Sequence, residues 1–193
     1  IQEEKDGYIL VTQKKGPELG YSATSGVTIL TDDGYAFKDL NKNGTLDAYE
    51  DWRNSFEERA RDLASRLSIE EIAGLMLYSG HQAIPMPAWW GSYGGKWFED
   101  SDAQPWDLTD EQKEFLAEDN LRHVLITRFP STEVAVKWNN NVQAYVEALG
   151  SGIPCNNSSD PRHNGADADA EYNAGAGGDI SMWPTSMGMA ATF

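Results

Sequence analysis

Apolar positions in the first 38 residues fall in short β-rich runs. Residues 8–12 (Tyr-Ile-Leu-Val-Thr) and 26–31 (Gly-Val-Thr-Ile-Leu-Thr) predict strands separated by Gly and Lys. Asp33-Gly34 predicts a hairpin turn into residues 35–38, so residues 1–38 read as a small β appendage. The period then changes. Phe56, Ala60, Leu63, Ala64 and Leu67 recur at helical spacing and predict a helix over 56–67. Ser68 and Glu71 form a capping-box pair that opens a second helix, with Ile72, Leu75 and Met76 on one face. Residues 79–107 are rich in Gly, Pro and Trp with neither period, and read as an inserted loop. Asp107-Leu-Thr109 caps a helix near 110–118, and 124–127 is a short buried strand. A helix over 131–149 puts Val134, Trp138, Val142, Tyr145, Val146 and Leu149 on its buried side, and Gly150-Ser-Gly152 stops it. Residues 153–156 predict another buried strand, and 164–178, rich in Gly, Ala and Asp, predict an exposed loop. No internal repeat is evident.

From residue 56 onward the order is helix, strand, helix, strand. Such alternation belongs to parallel β/α units and an α/β fold. In β/α barrels the functional groups follow the strands, at their C-terminal ends. That rule directs attention to Arg128-Phe-Pro130 and to residues 156–164.

Between the two patterns lies Asp39-Leu-Asn41-Lys-Asn43-Gly44-Thr45-Leu46-Asp47-Ala-Tyr-Glu50. It matches the calcium-loop pattern D-x-[DN]-x-[DN]-G-x₅-E at every specified position. Calcium takes six to eight oxygens at roughly 2.3–2.6 Å. Asp39, Asn41 and Asn43 would supply side-chain oxygens and Thr45 its carbonyl. Asp47 would bind directly or through water, and Glu50 would close the site with both oxygens. Gly44 permits the left-handed turn, and Leu46 would pin the loop to the protein. The alternative is an Asx-rich turn ahead of a helix. The segment before Asp39 reads as a strand, so the expected site is a single strand–loop–helix staple rather than a paired EF-hand.

The chain has 193 residues, 40% of them hydrophobic, enough for one domain or part of a larger one. Its net charge of −16 argues against nucleic acid and anionic membrane surfaces as partners. No apolar run approaches the roughly 20 residues of a membrane span. No signal peptide is visible, and the chain begins at Ile1 without Met, as a processed or trimmed terminus would. A single cysteine, Cys155, excludes an internal disulfide. A calcium loop works best where calcium is millimolar, which favours a periplasmic or extracellular location.

Several segments, in order, resemble glycoside hydrolase family 3. They are residues 37–53, residues 67–76, Trp138-Asn-Asn-Asn-Val-Gln143, Gly152-Ile-Pro154, Ser159-Asp-Pro-Arg-His163 and residues 180–193. The resemblance covers residues 37–193. It implies an exo-acting, retaining β-glycosidase built on a TIM-type (β/α)8 barrel, of which residues 51–193 are the first part, after the appendage and the 39–50 loop. The leading reading is a β-glucosidase that removes non-reducing terminal β-D-glucosyl residues from oligosaccharides or aryl glycosides. β-Xylosidase and N-acetylglucosaminidase are alternatives within the family. Retention implies two carboxyl groups about 5–5.5 Å apart, a nucleophile and an acid/base. The resemblance puts both after Phe193, so the chain alone is expected to be inactive and to need the rest of the enzyme.

The resemblance also makes Asp160 the aspartate that holds the non-reducing sugar. Otherwise Asp160 is an Asx-Pro turn residue. His163 either bonds to the sugar or supports Asp160, and Arg162 either touches the ligand or pairs with an acidic neighbour. Arg128 has the same two readings, substrate contact or structural ion pair. Trp89, Trp90, Trp97 and Trp106, with Tyr93 and Phe98, either stack on sugar faces or form the loop's own core. Asp167, Asp169 and Glu171 read as a solvated run, His81 and His123 lack zinc-ligand spacing, and Cys155 reads as core. A different class of function also fits: a non-catalytic, calcium-stabilised carbohydrate-binding module.

Overall fold

The computed structural model describes residues 1–83, 91–128, 131–158 and 186–192. These residues form mixed α/β structure in two compact units. One comprises Ile1–Gly74 with Gln143–Pro154, the other Leu75–Val142 with Cys155–Phe193.

The first unit begins with strands β1 (Gln2–Lys5), β2 (Tyr8–Val11) and β3 (Leu19–Ser22), an antiparallel sheet in the order β1-β2-β3. Strands β4 (Thr28–Asp32) and β5 (Tyr35–Asp39) form a separate hairpin. Its turn is Asp33-Gly34, with φ of 47° and 77°. Positive φ at both positions is the geometry that matches the twist of the flanking strands, and the Asp-Gly pair supplies it cheaply. Val11, Tyr21, Val27 and Ala36 form the core, with Ile9, Leu19, Ile29 and Leu40 packed against it. Phe37 is fully buried and stacks on Trp52, whose indole N–H donates to the Ala36 carbonyl at 3.0 Å. Strands β1 and β3 escape the sequence reading: Gln2-Glu-Glu-Lys5 is polar throughout and Gly20 interrupts β3.

Helix α1 (Phe56–Arg66) starts at Ser55, whose hydroxyl and Glu58 exchange the reciprocal bonds of a capping box. Helix α2 (Ile69–Gly74) has the predicted Ser68–Glu71 pair, with bonds of 2.7 and 3.1 Å. The helical periods are as expected, but α1 has no buried residue. Phe56 is 82% exposed and Ile69 81%, while Leu63 and Leu67 are half-buried, so these apolar faces are only partly covered among the described residues. Residues 143–154 are tied to the strands by charge. Glu147 accepts from the Ser22 N–H and the Lys38 ammonium, both at 2.7 Å, and Lys42 donates to the Ala148 carbonyl at 2.7 Å. Gly152 packs so close to Leu40 that a Cβ there would stand 2.7 Å from its side chain, and its φ of +66° is left-handed.

The second unit is built on β6 (Tyr78–Ala83), β7 (His123–Arg128) and β8 (Asn156–Ser158), all parallel and adjacent in chain order. Helix α3 (Asp110–Ala117) connects β6 to β7, and α4 (Thr132–Glu147) follows β7. Strand β6 occupies the start of what reads from sequence as a loop. Ser79-Gly-His-Gln82 has no apolar alternation, and its strand character comes from backbone pairing with β7. Strand β8 begins where the predicted strand 153–156 ends, since Pro154 cannot donate to a ladder. Four of the predicted α4 positions are buried: Val134, Trp138, Val142 and Val146; Tyr145 and Leu149 are half-buried. Trp138 and Val142 pack with Leu116, Leu121 and Val124 under α3. The Trp138 indole reaches Gln112 at 3.4 Å, and Gln112 also closes the Thr109 capping box.

Residues 92–96 are folded back on α3 by the carboxylates of Asp110 and Glu111, Glu111 accepting from the Ser92 N–H at 2.8 Å. Asp110 accepts from the N–H groups of Gly94 and Gly95 at 3.0 and 2.8 Å and from the Ser92 hydroxyl at 3.0 Å. Burial opposes its ionisation, but the bonds from Gly95, Gly94 and Ser92 outweigh it and hold the carboxyl below the usual aspartate range.

Trp138→Ala is expected to cost about 3–5 kcal/mol of stability. Val136→Ala on the exposed side should stay within about 0.5 kcal/mol. Urea midpoints measure both; equal effects would remove Trp138 from the core. Asp110 has a depressed folded-state pKa, so its stabilisation is full above the unfolded value near 3.9 and is lost as pH falls through the folded one. Asp110→Ala should therefore lose about 1–2 kcal/mol at neutral pH, with the gap to the parent closing below about pH 4. A gap that is constant from pH 7 to pH 3 would contradict the assignment.

Candidate functional site

Asp39, the last residue of β5, begins a loop that folds back on its own backbone N–H groups. Its carboxylate accepts from Asn43 N and Gly44 N, both at 3.0 Å, and from the Thr28 hydroxyl at 3.3 Å. Glu50 accepts from Leu40 N at 2.7 Å and Asn41 N at 3.2 Å through Oε1, and from Asp47 N at 3.0 Å through Oε2. The far end of the loop thus reaches back to its start. Gly44 turns at φ +76°. Asn43 Oδ1 accepts from Thr45 N at 2.7 Å, an Asx turn. Asp47 Oδ2 lies 2.6 and 2.8 Å from the amides of Asn41 and Asn43.

Two of these carboxylates are out of water: Asp39 is 2% exposed and Glu50 4%. Neither pairs with Lys or Arg among the described residues; only Asp47 does. A buried charge needs a counter-charge or a metal unless hydrogen bonds carry it. The Tyr49 hydroxyl, also buried, lies beside Glu50 but outside hydrogen-bond geometry. Burial first, then the charge of Glu50, holds its phenol well above the usual range. Among the described residues no group of three or more His, Cys, Asp or Glu could hold a metal by itself. Any cation here therefore needs the Asn41 and Asn43 amides and the Thr45 carbonyl as well as Asp39, Asp47 and Glu50. That all-oxygen set is of the hard type that suits calcium.

Helix α1 clamps the loop's exit. Asp62 Oδ2 accepts from Tyr49 N at 3.0 Å, and Arg59 Nε donates to the Tyr49 carbonyl at 2.9 Å. Arg66 Nη2 reaches Asp47 Oδ1 at 2.8 Å, and the same guanidinium binds Asp62 at 2.9 and 3.1 Å. The bond from Arg66 keeps the Asp62 carboxyl below its usual range. The sequence reading misses all three residues. Their one visible signal, the i,i+4 spacing of Asp62 and Arg66, is common on solvated helices.

In the second unit the C-terminal ends of β6, β7 and β8 lie along one edge of the parallel sheet, with Ala83 paired to Arg128 and Leu125 to Ser158. Arg128 closes β7 at this edge. Asp160 follows β8 by two residues in the chain, and it lies outside the described residues, as do Arg162, His163, Asp167, Asp169, Glu171, Trp89 and Trp90. The Ser158 hydroxyl meets that of Tyr78, the first residue of β6, and Asn157 bonds Asn139 at 2.5 Å. His123 stands at the opposite end of β7, 3.1 Å from the Asn156 amide. The aromatic loop divides. Trp106 is covered by the Lys137 ammonium 4.0 Å from its ring, and Tyr93 packs on Phe98, while Trp97 is 50% exposed. Cys155 is buried and its thiol is pushed up to about 11, which makes it unreactive core.

No family model matches the chain. Two curated relatives do. It is 35% identical over 175 residues to a periplasmic beta-glucosidase/beta-xylosidase of Dickeya chrysanthemi, covering 87% of this chain and 24% of that protein. It is 25% identical over 162 residues to a probable beta-glucosidase C of Aspergillus oryzae, covering 82% of this chain and 22% of that protein. The chain therefore spans about a quarter of the length of these relatives. These similarities support a glycoside hydrolase family 3-like, β-glucosidase-type protein.

Proposed function

We propose that this chain is the N-terminal part of an exo-acting, retaining β-glycosidase, a β-glucosidase acting on non-reducing terminal β-D-glucosyl residues. The observation that carries this reading is the 35% identity over 87% of the chain to a relative named for that activity. The same name includes β-xylosidase, so β-xylosides are the second substrate class to test. The sequential parallel order of β6, β7 and β8 supports reading them as consecutive strands of a (β/α)8 barrel. On this reading the nucleophile and acid/base lie in further polypeptide, and residues 1–193 alone are inactive. A periplasmic or extracellular location fits the name of the bacterial relative. Among the described residues no helix is long and apolar enough to cross a membrane.

Within this reading Asp160 binds the sugar in the subsite before the scissile bond. A carboxylate there accepts hydrogen bonds from two adjacent hydroxyls and fixes the ring for attack. Each bond to the charged group is worth about 1.5–3 kcal/mol. Arg128, Arg162 and His163 are assigned to the same strand-end site, as substrate contacts or as supports of Asp160. Asp39, Asn41, Asn43, Asp47 and Glu50 hold a structural calcium ion with the Thr45 carbonyl. The burial of the Asp39 and Glu50 carboxylates, with no Lys or Arg beside them among the described residues, supports this assignment. The ion would supply the positive charge that closes the loop.

In the complete enzyme, Asp160→Asn should lower kcat/KM on aryl β-glucosides by roughly 10²-fold or more, with little change in melting temperature. Kinetics on aryl β-glucoside and β-xyloside test this together with the substrate class. A near-wild-type kcat/KM on both would return Asp160 to a turn residue. Calcium at about one hundred times its Kd should add about 2.7 kcal/mol of stability. A chelator should accordingly lower the melting temperature, and Glu50→Gln should abolish most of that sensitivity. Identical melting with calcium and with chelator would sink the calcium assignment.

A further inference from the structure

We propose that Arg66 sets the calcium affinity of the 39–50 loop, through the positive charge it holds against Asp47. The inference rests on the reading of that loop as a calcium site. Three acidic side chains belong to the loop, Asp39, Asp47 and Glu50, and only Asp47 has a basic partner among the described residues. The two oxygens of Asp47 face different neighbours. Oδ1 takes the Arg66 guanidinium at 2.8 Å, while Oδ2 lies 2.6 and 2.8 Å from the amides of Asn41 and Asn43. The arginine thus fixes which oxygen is turned toward the other calcium-binding positions. It is itself fixed, by two bonds to Asp62, and Asp62 in turn holds the Tyr49 N–H within the same loop. Its guanidinium also lies 5.9 Å from the centre of the Tyr49 ring. Arg66 is therefore held against the loop by two carboxylates, those of Asp47 and Asp62.

Two effects oppose each other. Orienting Asp47 favours an ion; a fixed cation one carboxylate away disfavours it. The charge effect wins on two grounds. Position 9 of such loops often reaches calcium through a water molecule, so it tolerates some freedom in Asp47. The number of net charges around the ion, in contrast, is a principal means by which these loops tune affinity. Arg66 offsets one negative charge among the loop's three carboxylates and Asp62, which it also binds. The site should then work in the range of about 10⁻⁴–10⁻³ M typical of extracellular calcium modules.

Calorimetric titration of the full-length protein with calcium chloride tests this. Arg66→Gln removes the charge and keeps donors for Asp47 and Asp62. It should bind calcium about five- to tenfold more tightly than wild type at low salt. The difference should shrink as salt is raised toward 1 M, because Arg66, 39% exposed, is open to screening. Arg66→Lys keeps the charge and should stay within about twofold of wild type. Arg66→Met, which retains an apolar stem beside Tyr49, should tighten binding as the Gln variant does and serves if that variant does not fold. Unchanged or weaker binding in both neutral variants, with wild type binding calcium, would overturn the role of Arg66 alone. No calcium binding by folded wild type would overturn the calcium reading and this inference with it.

Discussion

The carboxylates of Asp39 and Glu50 are removed from water with no lysine or arginine beside them, among the described residues, and the local structure follows from that. Asp39 gathers the N–H groups of Asn43 and Gly44, and Glu50 gathers those of Leu40, Asn41 and Asp47. These bonds bring the two ends of the loop together and fix where the chain leaves β5 and where it heads for α1. Backbone N–H groups and the Thr28 hydroxyl carry these two buried charges, three hydrogen bonds ending on each carboxylate. On the proposed reading a bound calcium ion adds the counter-charge. The same loop end is held from outside by Arg59, Asp62 and Arg66. What looks in sequence like a turn between two elements is thus the joint of the first unit.

The second unit applies a different constraint. Parallel strands cannot be joined by a tight turn, so each connection carries a helix, and each helix must bury one face. Trp138 and Val142 of α4 and Leu116 of α3 do so above Val124. This arrangement directs the C-terminal ends of β6, β7 and β8 to one edge. On the proposed reading, Asp160 inherits its position from this geometry and not from its immediate neighbours in sequence.

Elements with a strong local signal were legible. The α4 stripe, the caps at Ser68 and Thr109, and the Asp33-Gly34 turn all follow from side chains that act on their own backbone, whereas the Ser55 capping box of α1 was missed. Elements whose formation depends on a distant partner were not. Strand β6 has no alternation and exists by pairing with β7, and polar β1 exists by pairing with β2. For the candidate site, the loop pattern from Asp39 to Glu50 names the proposed ligands but not their burial, which a spacing cannot express. Arg66 was invisible for the same reason, because its partner Asp47 is brought near only by the fold. The sugar-binding candidates rest on resemblance, since a single Asp-Pro pair has no local feature that separates a ligand group from a turn.

The central claim is that one calcium ion completes the loop, and anomalous diffraction tests it most directly. Crystals grown with calcium should show, at long wavelength, one anomalous peak at the loop. Oxygens of Asp39, Asn41, Asn43, Asp47 and Glu50 and the Thr45 carbonyl should surround it, the direct ligands at about 2.3–2.6 Å. Ordered water without anomalous signal, or a lysine or arginine nitrogen seated between Asp39 and Glu50, would contradict it.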